Sequence, residues 1–400
     1  MQQGLTMYFE SYISRESIFY NKKALQSNYN PENILHRREQ IEQIAHILAP
    51  NLKLEKASNA FIYGKPGSGK TLTTKHVLKE LQKMAILKKI PLTTIYLNCK
   101  LRRIADTEYR IIAEIARELG KVVPATGLPT EEVYNAFIEA IDSKRQVLVL
   151  VLDEIDQLVK KTGDVVLYNL TRLNEELKKA QITLIGISND IFFLENLDSR
   201  VRSSLSEEEI TFPPYNAIQL QEILKQRAEI AFRPWVIEEG VIEKCAAYAA
   251  QSHGDARRAL ELLRVAGEIA ERNGFNTVAV AHIDDAEERI EQDRLLELVK
   301  NQPRHFQLVF YSILSMPRQN KKLFTGDIYE NYKKICSRTG VKPLTQRRIS
   351  DIIAELDTLG AITARVISKG RYGRTREILL ATQAAMNKKL IKILEDALNV

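Results

Sequence analysis

Short apolar runs alternate with amphipathic stretches over roughly the first half of the chain. The stretches Thr71–Lys88 and Tyr109–Leu119 repeat their apolar residues at helical spacing. The apolar runs between such stretches are rich in β-branched residues: Asn59–Tyr63, Thr93–Leu97, Val147–Leu152, Ile182–Ile187 and Glu209–Phe212. Near-continuous apolar strands between helices indicate a parallel sheet that is buried on both faces. The pattern therefore predicts a doubly wound α/β fold here.

The pattern turns entirely helical after Pro213 and Pro214, which end the last strand and predict a hinge. Asn216 and Gln219 have the spacing of a capping box. Gly254 predicts the end of one helix, and Asp255 predicts the N-cap of the next. The predicted helices are Asn216–Phe232, Val236–Gln251, Asp255–Arg272 and Val280–Lys300. We therefore expect a small helical domain after the α/β domain.

A third pattern begins near Pro303. It predicts the helices Phe306–Leu314, Thr325–Ser337 and Thr345–Leu359, then the strands Ala361–Ile367 and Glu377–Ala381 on either side of a glycine-containing turn. Three helices followed by a hairpin is the order of a winged helix. The patterns together predict a base domain in residues 1–213, a helical lid domain in 214–300 and a winged-helix domain in 301–400.

The composition is that of an ordinary globular protein. The 400 residues are 44% hydrophobic and 27% charged, which excludes a wholly disordered or low-complexity chain. The longest apolar run, Val147–Leu152, is far shorter than the ~18 residues of a membrane span, and no secretory signal is visible. Cys99, Cys245 and Cys336 are far apart, which excludes a disulfide scaffold and fits a reducing cytosol.

The net charge of +7 is distributed unevenly. Residues 300–400 hold 19 Lys/Arg and 8 Asp/Glu, a net charge of +11, whereas the rest of the chain has a net charge of −4. A basic module on a mildly acidic body indicates contact with a polyanion, most often nucleic acid. A basic surface that is simply solvated is the alternative.

A phosphate-binding motif follows the first predicted strand and opens a helix. It fits G-x-x-x-x-G-K-[ST] at every fixed position: Gly64-Lys65-Pro66-Gly67-Ser68-Gly69-Lys70-Thr71. The glycines let successive N–H groups converge on phosphate oxygens, and the helix N-terminus adds partial positive charge. Lys70 supplies a full charge near the β- and γ-phosphates, and the Thr71 hydroxyl can bind Mg²⁺. The alternative is a chance glycine turn.

Two carboxylates end the strand Val147–Leu152. Asp153 and Glu154 would lie at the C-terminal edge of the sheet, where open α/β folds bind ligands. Asp153 would hold Mg²⁺ with Thr71, and Glu154 would polarise the attacking water. The alternative is a strand end followed by acidic capping of the next helix.

Further candidates lie beside this motif pair. Asn189, at the tip of the strand Ile182–Ile187, could orient the water or sense the γ-phosphate, or it could be an Asx-turn cap. Arg200 and Arg202 precede the last strand, and either could be an arginine finger for a neighbouring subunit's nucleotide or an ordinary surface arginine.

The helical domain offers three more candidates. Arg257 begins a lid helix and could point back over the phosphates, so that ATP would clamp the lid to the base, or it could form an ordinary salt bridge. Tyr215 could stack near the adenosine and Arg227 could reach it from the first lid helix. Both could equally be packing residues of the hinge.

The basic module has the features of a duplex-DNA reader. The apolar side of the predicted third helix consists of residues at helical spacing: Ile349, Ile352, Ile353, Leu356 and Leu359. Gln346 and Arg347 lie near the N-terminus of this helix and face away from its apolar side, with Arg348 closer to the boundary. Such residues reach base edges in the major groove. Basic residues suited to phosphate or minor-groove contact surround the glycines of the turn: Lys369, Arg371, Arg374 and Arg376. A winged helix used only for protein contacts is the alternative.

The order of these motifs resembles the archaeal origin-recognition initiators, the Orc/Cdc-six family of AAA+ ATPases. The segments that carry the resemblance extend from about Tyr29 to the end of the chain: Tyr29–Glu39, Arg200–Ser204, Phe212–Tyr215 and Gly254–Leu260. The resemblance implies an AAA+ base domain, a lid and a winged helix, with ATP or ADP held between base and lid.

The resemblance also implies roles for individual residues. Asn189 corresponds to the first sensor, Arg257 to the second and Arg200 to the finger, while Tyr215 and Arg227 line the nucleotide site. The family inserts a DNA-contacting helix after the second strand, which here makes Arg102 and Arg103 candidate phosphate or minor-groove contacts. The implied partners are double-stranded origin DNA, the replicative MCM helicase and paralogous initiator subunits.

The sequence is therefore interpreted as a cytoplasmic, nucleoid-associated replication initiator that uses weak ATP hydrolysis as a switch. It would bind origin DNA and help to recruit or load the helicase, and no membrane partner is expected. Two alternatives stay open: a Holliday-junction branch-migration motor, and a nucleotide-gated transcription regulator.

Overall fold

The chain forms two compact units, Met1–Ile283 and Asp284–Val400. The computed structural model describes residues 16–100, 107–124, 126–205, 207–316, 323–359, 361–368, 374–380 and 384–398. Among these residues, none of the helices combines the length and the apolar composition that a membrane span requires. The predicted boundaries of three domains stay a prediction.

A five-stranded parallel sheet organises the first unit. Its strands are β1 (Asn59–Gly64), β2 (Leu92–Asn98), β3 (Val147–Asp153), β4 (Gln181–Ser188) and β5 (Glu207–Phe212), within one or two residues of the predicted bounds. The strand order is β2-β3-β4-β1-β5, and every neighbouring pair is parallel. The order puts β1, which leads into the phosphate motif, directly beside β4, and β4 beside β3.

Helices cover both faces of the sheet and make a core on each. Along β3, Leu148, Leu150 and Leu152 contribute to one core, whereas Val149 and Val151 contribute to the other. Successive strand residues point to opposite faces, so a strand that is apolar throughout needs cover on both sides. The helices of this domain are α1 (Arg38–Leu48), α2 (Lys70–Leu87), α3 (Glu108–Glu118), α4 (Thr130–Ile141), α5 (Ile155–Thr162), α6 (Val165–Glu176) and α7 (Ser199–Leu205).

The lid comes after β5 and contains the helices α8 (Ala217–Ala231), α9 (Val241–Gln251) and α10 (Ala256–Arg272). The boundary between the two units falls within the next helix, α11 (Val280–Lys300). The predicted capping box is present, with Asn216 accepting from the Gln219 N–H. The predicted start of the second lid helix at Val236 is wrong. Val236 and Glu238 form backbone hydrogen bonds with Val278 instead, and the helix begins only after Gly240.

The chain segment before α1 is attached to this lid. The ring of Phe19 stacks on Phe232, with 4.7 Å between centroids, and Lys22 Nζ lies 2.8 Å from Glu268 Oε1. The N–H groups of Tyr20 and Asn21 both donate to the Ala231 carbonyl oxygen. The sequence pattern did not predict this attachment.

The second unit has the predicted helices and hairpin. Its elements are α12 (Arg304–Leu314), β6 (Leu323–Phe324), α13 (Thr325–Thr339), α14 (Gln346–Thr358), β7 (Ile362–Ser368), β8 (Arg374–Leu380) and α15 (Ala384–Leu398), with an antiparallel sheet in the order β6-β8-β7. Ile349, Ile352, Ile353 and Leu356 of α14 are buried as predicted. Leu359 was expected on the same face but is 37% exposed, because the helix ends at Thr358.

Candidate nucleotide site and nucleic-acid interface

The predicted phosphate residues meet at the C-terminal edge of the sheet. The registers pair Tyr63 of β1 with Ser188 of β4, and Asp153 of β3 with Ile187 of β4. Because these strands are parallel neighbours, the residues that follow them emerge side by side. The phosphate motif, Asp153 and Asn189 are thereby brought into one site.

The phosphate loop needs glycine at two positions. Gly67 and Gly69 have φ values of +73° and +91°, which L side chains rarely adopt. A Cβ on Gly67 would lie 1.7 Å from Asp255 Oδ1 of the lid, and the Ala256 N–H donates to the Gly67 carbonyl oxygen at 3.3 Å. The start of α10 therefore packs directly on this loop. Ser68 Oγ is buried and has no hydrogen-bond partner among the described residues.

Lys70 is held at the centre of the site. Its Nζ donates to the carbonyl oxygens of Gly64 at 2.6 Å and Lys65 at 2.9 Å, and to Asn189 Oδ1 at 2.9 Å. Burial lowers the pKa of Lys70 to about 8, while the nearby Asp153 carboxylate opposes and the Arg257 charge assists that shift. An anionic phosphate would supply the compensation that this buried ammonium needs.

Asp153 and Thr71 present oxygen atoms beside the loop. Thr71 Oγ1 donates to Asp153 Oδ2 at 2.8 Å, and the Tyr96 hydroxyl donates to the same carboxylate oxygen. A hydroxyl and a carboxylate are the ligands that Mg²⁺ prefers, so the donor set fits the predicted metal. Burial, reinforced by the Asp153 contact, raises the pKa of Tyr96, which keeps its proton as the donor.

Glu154 has an unusual backbone. Its φ of +55° and ψ of 45° are left-handed, although it is not glycine, and α5 starts at the next residue. Its N–H donates to Asp153 Oδ1 at 2.9 Å, and its carboxylate lies 3.6 Å from Lys100 Nζ. Left-handed residues at a site indicate a conformation that the surrounding structure maintains. Glu154 occupies the N-cap position of α5, but its side chain makes no capping hydrogen bond among the described residues.

The lid-side candidates surround a cavity of about 220 Å³ that reaches the phosphate loop. Tyr215 and Arg227 are 5% exposed and line it, and Arg257 lines it at the start of α10. The Arg227 guanidinium lies over the ring of Tyr29 at 4.5 Å, and its Nη1 has no hydrogen-bond partner among the described residues. Residues 26–31 and 33–35 supply another wall of the cavity.

Arg37 is a residue of this region that the residue-by-residue reading of the sequence missed. It is 2% exposed, and its Nε donates to the Ser68 carbonyl oxygen at 2.9 Å. Its Nη2 donates to the Pro213 carbonyl oxygen at 2.6 Å, and its guanidinium carbon lies 3.9 Å from the centroid of the Tyr215 ring. Nothing in the local pattern His36-Arg37-Arg38 separates a buried arginine from an exposed one.

Arg200 is not brought to this site. It lies in α7 with an exposed side chain, and its Nε is 3.1 Å from Asp198 Oδ1. Arg202 is exposed on the same helix. Neither has a contact with the phosphate loop among the described residues, so the assignment of a finger to either one stays a prediction. Arg102 and Arg103 lie outside the described residues.

The predicted base-reading residues are exposed at the start of α14. Gln346, Arg347 and Arg348 are all solvent-exposed, and Arg348 Nη1 lies 3.8 Å from both Asp351 and Glu355 carboxylates. Arg376 of β8 donates to the Ser350 carbonyl oxygen at 2.6 Å, which ties the hairpin to this helix. Arg374 is the first residue of β8, and Lys369 and Arg371 lie outside the described residues.

Three family models match successive parts of the chain. Residues 53–192 match an AAA domain, residues 221–288 match the Cdc6 AAA+ ATPase-type lid domain, and residues 297–389 match CDC6, C terminal winged helix domain. The predicted fold class, an AAA+ parallel-sheet base with a helical lid and a C-terminal winged helix, is confirmed.

Relatives match over almost the whole chain. The ORC1-type DNA replication protein of Thermococcus onnurineus is 52% identical over 93% of this chain and 90% of its own length, and that of Pyrococcus abyssi is 52% identical over 95% and 91%. The structure of the Aeropyrum pernix ORC1 protein in complex with DNA is 43% identical, with a TM-score of 0.80 over 96% of this chain and 98% of that one. The chain therefore belongs to the ORC1-type DNA replication proteins of archaea, the initiator family that its motifs resemble.

Proposed function

We propose that this protein is a replication initiator that binds origin duplex through its winged helix under the control of ATP bound between base and lid. The observation that carries the proposal is the meeting of Lys70, Asn189 and Asp153 at one sheet edge, on a chain whose basic winged-helix unit exposes Gln346, Arg347 and Arg348 at the start of α14. Relatives named as DNA replication proteins favour this function over a branch-migration motor or a transcription regulator.

The groups at the phosphate loop support nucleotide binding. Backbone N–H groups of residues 67–71 and the Lys70 ammonium would hold the phosphates, and the Ser68 hydroxyl is a further donor without a partner among the described residues. The adenosine would occupy the cavity beside Tyr215, with Arg227 reaching it from α8. Arg257 would contact the phosphates from the lid. Thr71 and Asp153 would hold Mg²⁺, which neutralises phosphate charge when bound.

Hydrolysis would need a water in line with the γ-phosphate. The water oxygen would bond to the γ-phosphorus while the Glu154 carboxylate accepts a proton from this water. The bond between the γ-phosphorus and the oxygen that bridges to the β-phosphate would break, and ADP would leave. Asn189 Oδ1 accepts a hydrogen bond from Lys70 Nζ, which leaves the side-chain NH₂ group of Asn189 to donate to water or phosphate. Arg200 has no contact with the phosphate loop among the described residues, and a slow reaction in the isolated chain would follow if a neighbouring copy must supply the finger.

The contact between lid and phosphate loop supports a switch. Asp255 and Ala256 of the lid pack on Gly67, so a bound γ-phosphate that engages Arg257 would favour the closed arrangement of the lid over an open one. ATP and ADP would thereby differ in their effect on the protein. Slow hydrolysis would reset it, and no continuous motor action is required.

The winged helix would read the duplex through α14. Gln346 and Arg347 carry donors for adenine and guanine edges, and a DNA complex is known for the Aeropyrum pernix relative. Arg102, Arg103 and the hairpin residues Lys369, Arg371 and Arg374 would contact the DNA backbone or the minor groove. The replicative MCM helicase and paralogous initiators would be the protein partners, at the nucleoid in the cytoplasm.

Genome-wide footprinting tests the function. The wild-type protein is compared with Arg347→Ala and with Arg338→Ala, a matched change at an exposed arginine of α13. We expect wild type and Arg338→Ala to protect a few origin sites, and Arg347→Ala to lose about tenfold or more in affinity for them. Protection at promoters, or unselective binding with rapid ATP-driven strand displacement, would contradict the initiator function.

A further inference from the structure

Arg37 is a buried cation directly behind the phosphate loop. It is only 2% exposed, and no carboxylate pairs with it among the described residues. Its partners are the carbonyl oxygens of Ser68 and Pro213, with a longer contact of 3.3 Å to that of His36. Burying a guanidinium with only neutral partners is costly, so such residues are rare unless a negative group completes the site.

The contacts of Arg37 join three parts of the first unit. Ser68 lies inside the phosphate loop, Pro213 ends the strand β5, and Tyr215 begins the lid connection. The Tyr215 ring lies against the guanidinium at 3.9 Å, and the Phe212 ring lies at 5.5 Å. Five donors in a rigid plane allow one arginine to make these contacts at once, which a lysine cannot do.

The bond to Ser68 fixes the direction of a peptide group. In a trans peptide the carbonyl oxygen and the following N–H point in opposite directions. Because the Ser68 oxygen faces Arg37, the Gly69 N–H must face away from Arg37. A Cβ on Gly69 would lie 2.8 Å from the Tyr215 hydroxyl and 3.7 Å from Arg37 Nε, so this side of the loop is already filled.

We propose that Arg37 is a positioning residue for nucleotide binding, which aims the Ser68–Gly69 peptide at the β-phosphate and adds a buried positive charge behind the loop. The inference rests on the proposed nucleotide function. The role differs from those proposed for the phosphate loop and for Arg257. Arg37 would act through the loop backbone and would not touch the phosphate.

The test measures displacement of a fluorescent ADP (methylanthraniloyl-ADP) by ADP and by AMP. AMP lacks the β-phosphate, so the ratio of the two dissociation constants reports the organisation of the loop. The variants are Arg37→Gln and Arg37→Lys, with Arg38→Gln as the control at a neighbouring arginine that is exposed and paired with Glu42 at 2.8 Å. Melting temperatures are measured in parallel.

We expect Arg37→Gln to weaken the binding of ADP at least tenfold and the binding of AMP much less. Arg37→Lys should show an intermediate loss, because lysine keeps the charge but lacks the planar set of N–H donors. Arg38→Gln should bind both as the wild type does. If Arg37→Gln does not fold, the same ratio in Arg37→Lys decides. An unchanged ADP affinity, or an equal loss of ADP and AMP, overturns the inference. A wild-type protein that binds no ADP would instead contradict the proposed function.

Discussion

At the scale of single residues, the site contains two buried cations whose hydrogen-bond partners among the described residues are neutral groups. Lys70 donates to two carbonyls and an amide, and Arg37 donates to carbonyls and stacks on rings. Ser68 Oγ and Arg227 Nη1 have no hydrogen-bond partner among the described residues. Neutral partners compensate buried cations poorly, so an anion bound here would be stabilised by both cations.

The lowered pKa of Lys70 predicts that nucleotide binding takes up protons at alkaline pH. Burial lowers this pKa from 10.5 to about 8, and a bound phosphate should raise it again. Above about pH 8 the free protein loses the proton that the complex keeps, so affinity for ADP should fall as pH rises towards 10. Calorimetry in two buffers of different ionisation enthalpy measures the uptake.

The same shift has a consequence for stability without nucleotide. The folded state holds the Lys70 proton less tightly than the unfolded chain does, so the penalty for burying it is fully present below pH 8 and is relieved as pH rises to about 10.5. In Lys70→Met, where no proton can be taken up at this position, the gain of stability between pH 8 and about 10.5 should be reduced. Melting temperatures without nucleotide measure this gain, and an equal gain in wild type and Lys70→Met would contradict the prediction.

The strained position of Glu154 predicts a separation of binding from hydrolysis. Glu154→Gln keeps the size of the side chain and its place at the start of α5, but it removes the carboxylate that would accept the proton of water. We expect ATP to be retained with near wild-type affinity and the hydrolysis rate to fall about a hundredfold or more. Single-turnover measurement with radiolabelled ATP checks this, and undiminished turnover would remove Glu154 from the proposed mechanism.

At the scale of elements, the sequence predicted the sheet well and the ends of helices less well. A strand such as β3, apolar at every residue, has one physical solution, which is cover on both faces. The late start of α9 depends on backbone pairing of Val236 and Glu238 with Val278, a partner about forty residues away that local patterns do not include. The helix α15 is not among the predicted elements, which end with the hairpin.

The sequence predicted the residues of the candidate site that follow a motif or a strand, but it did not predict those that reach the site from distant elements. The residues with a fixed spacing, Lys70 and Thr71, and the residues at strand ends, Asp153 and Asn189, are brought together by the strand order. Arg37 could not be found in this way, since its burial arises from elements that are distant in the sequence. The contact of Lys100 with Glu154 was missed for the same reason.

The packing of α10 on the phosphate loop predicts the effect of a single methyl group. In Gly67→Ala, the added Cβ would overlap Asp255, and the residue would keep a left-handed backbone that alanine disfavours. We expect the lid to be displaced from the loop, with ADP affinity at least tenfold weaker and faster proteolysis between base and lid. Gly120→Ala, at a left-handed glycine with open space around it, controls for backbone strain alone.

At the scale of the whole molecule, the position of Arg200 bears on the proposed hydrolysis. Its exposed side chain is paired with Asp198, and it has no contact with the phosphate loop among the described residues. If Arg200 is the finger, another copy or a paralogue would have to present it to the nucleotide. Hydrolysis would then depend on protein concentration and on assembly at DNA, which suits a switch better than a motor.

Mixing two inactive variants tests this arrangement. Lys70→Ala should bind no nucleotide but keeps Arg200, whereas Arg200→Ala binds nucleotide but lacks the finger. We expect each alone to hydrolyse ATP slowly and the mixture on origin DNA to recover a substantial part of the wild-type rate. Lys70→Ala mixed with Arg202→Ala distinguishes the two arginines, and a mixture no faster than its components would contradict action between copies.

The attachment of the N-terminal segment to the lid has a consequence for how fast the protein changes state. This segment is fixed at one end by Phe19 on the lid and at the other by Arg37 on the base, and its middle forms a wall of the cavity. An opening of the lid would therefore have to stretch or release this segment, which would slow any exchange of ADP for ATP. The lifetime of the ADP-bound protein would then depend on a few aromatic and charged contacts near the beginning of the described chain.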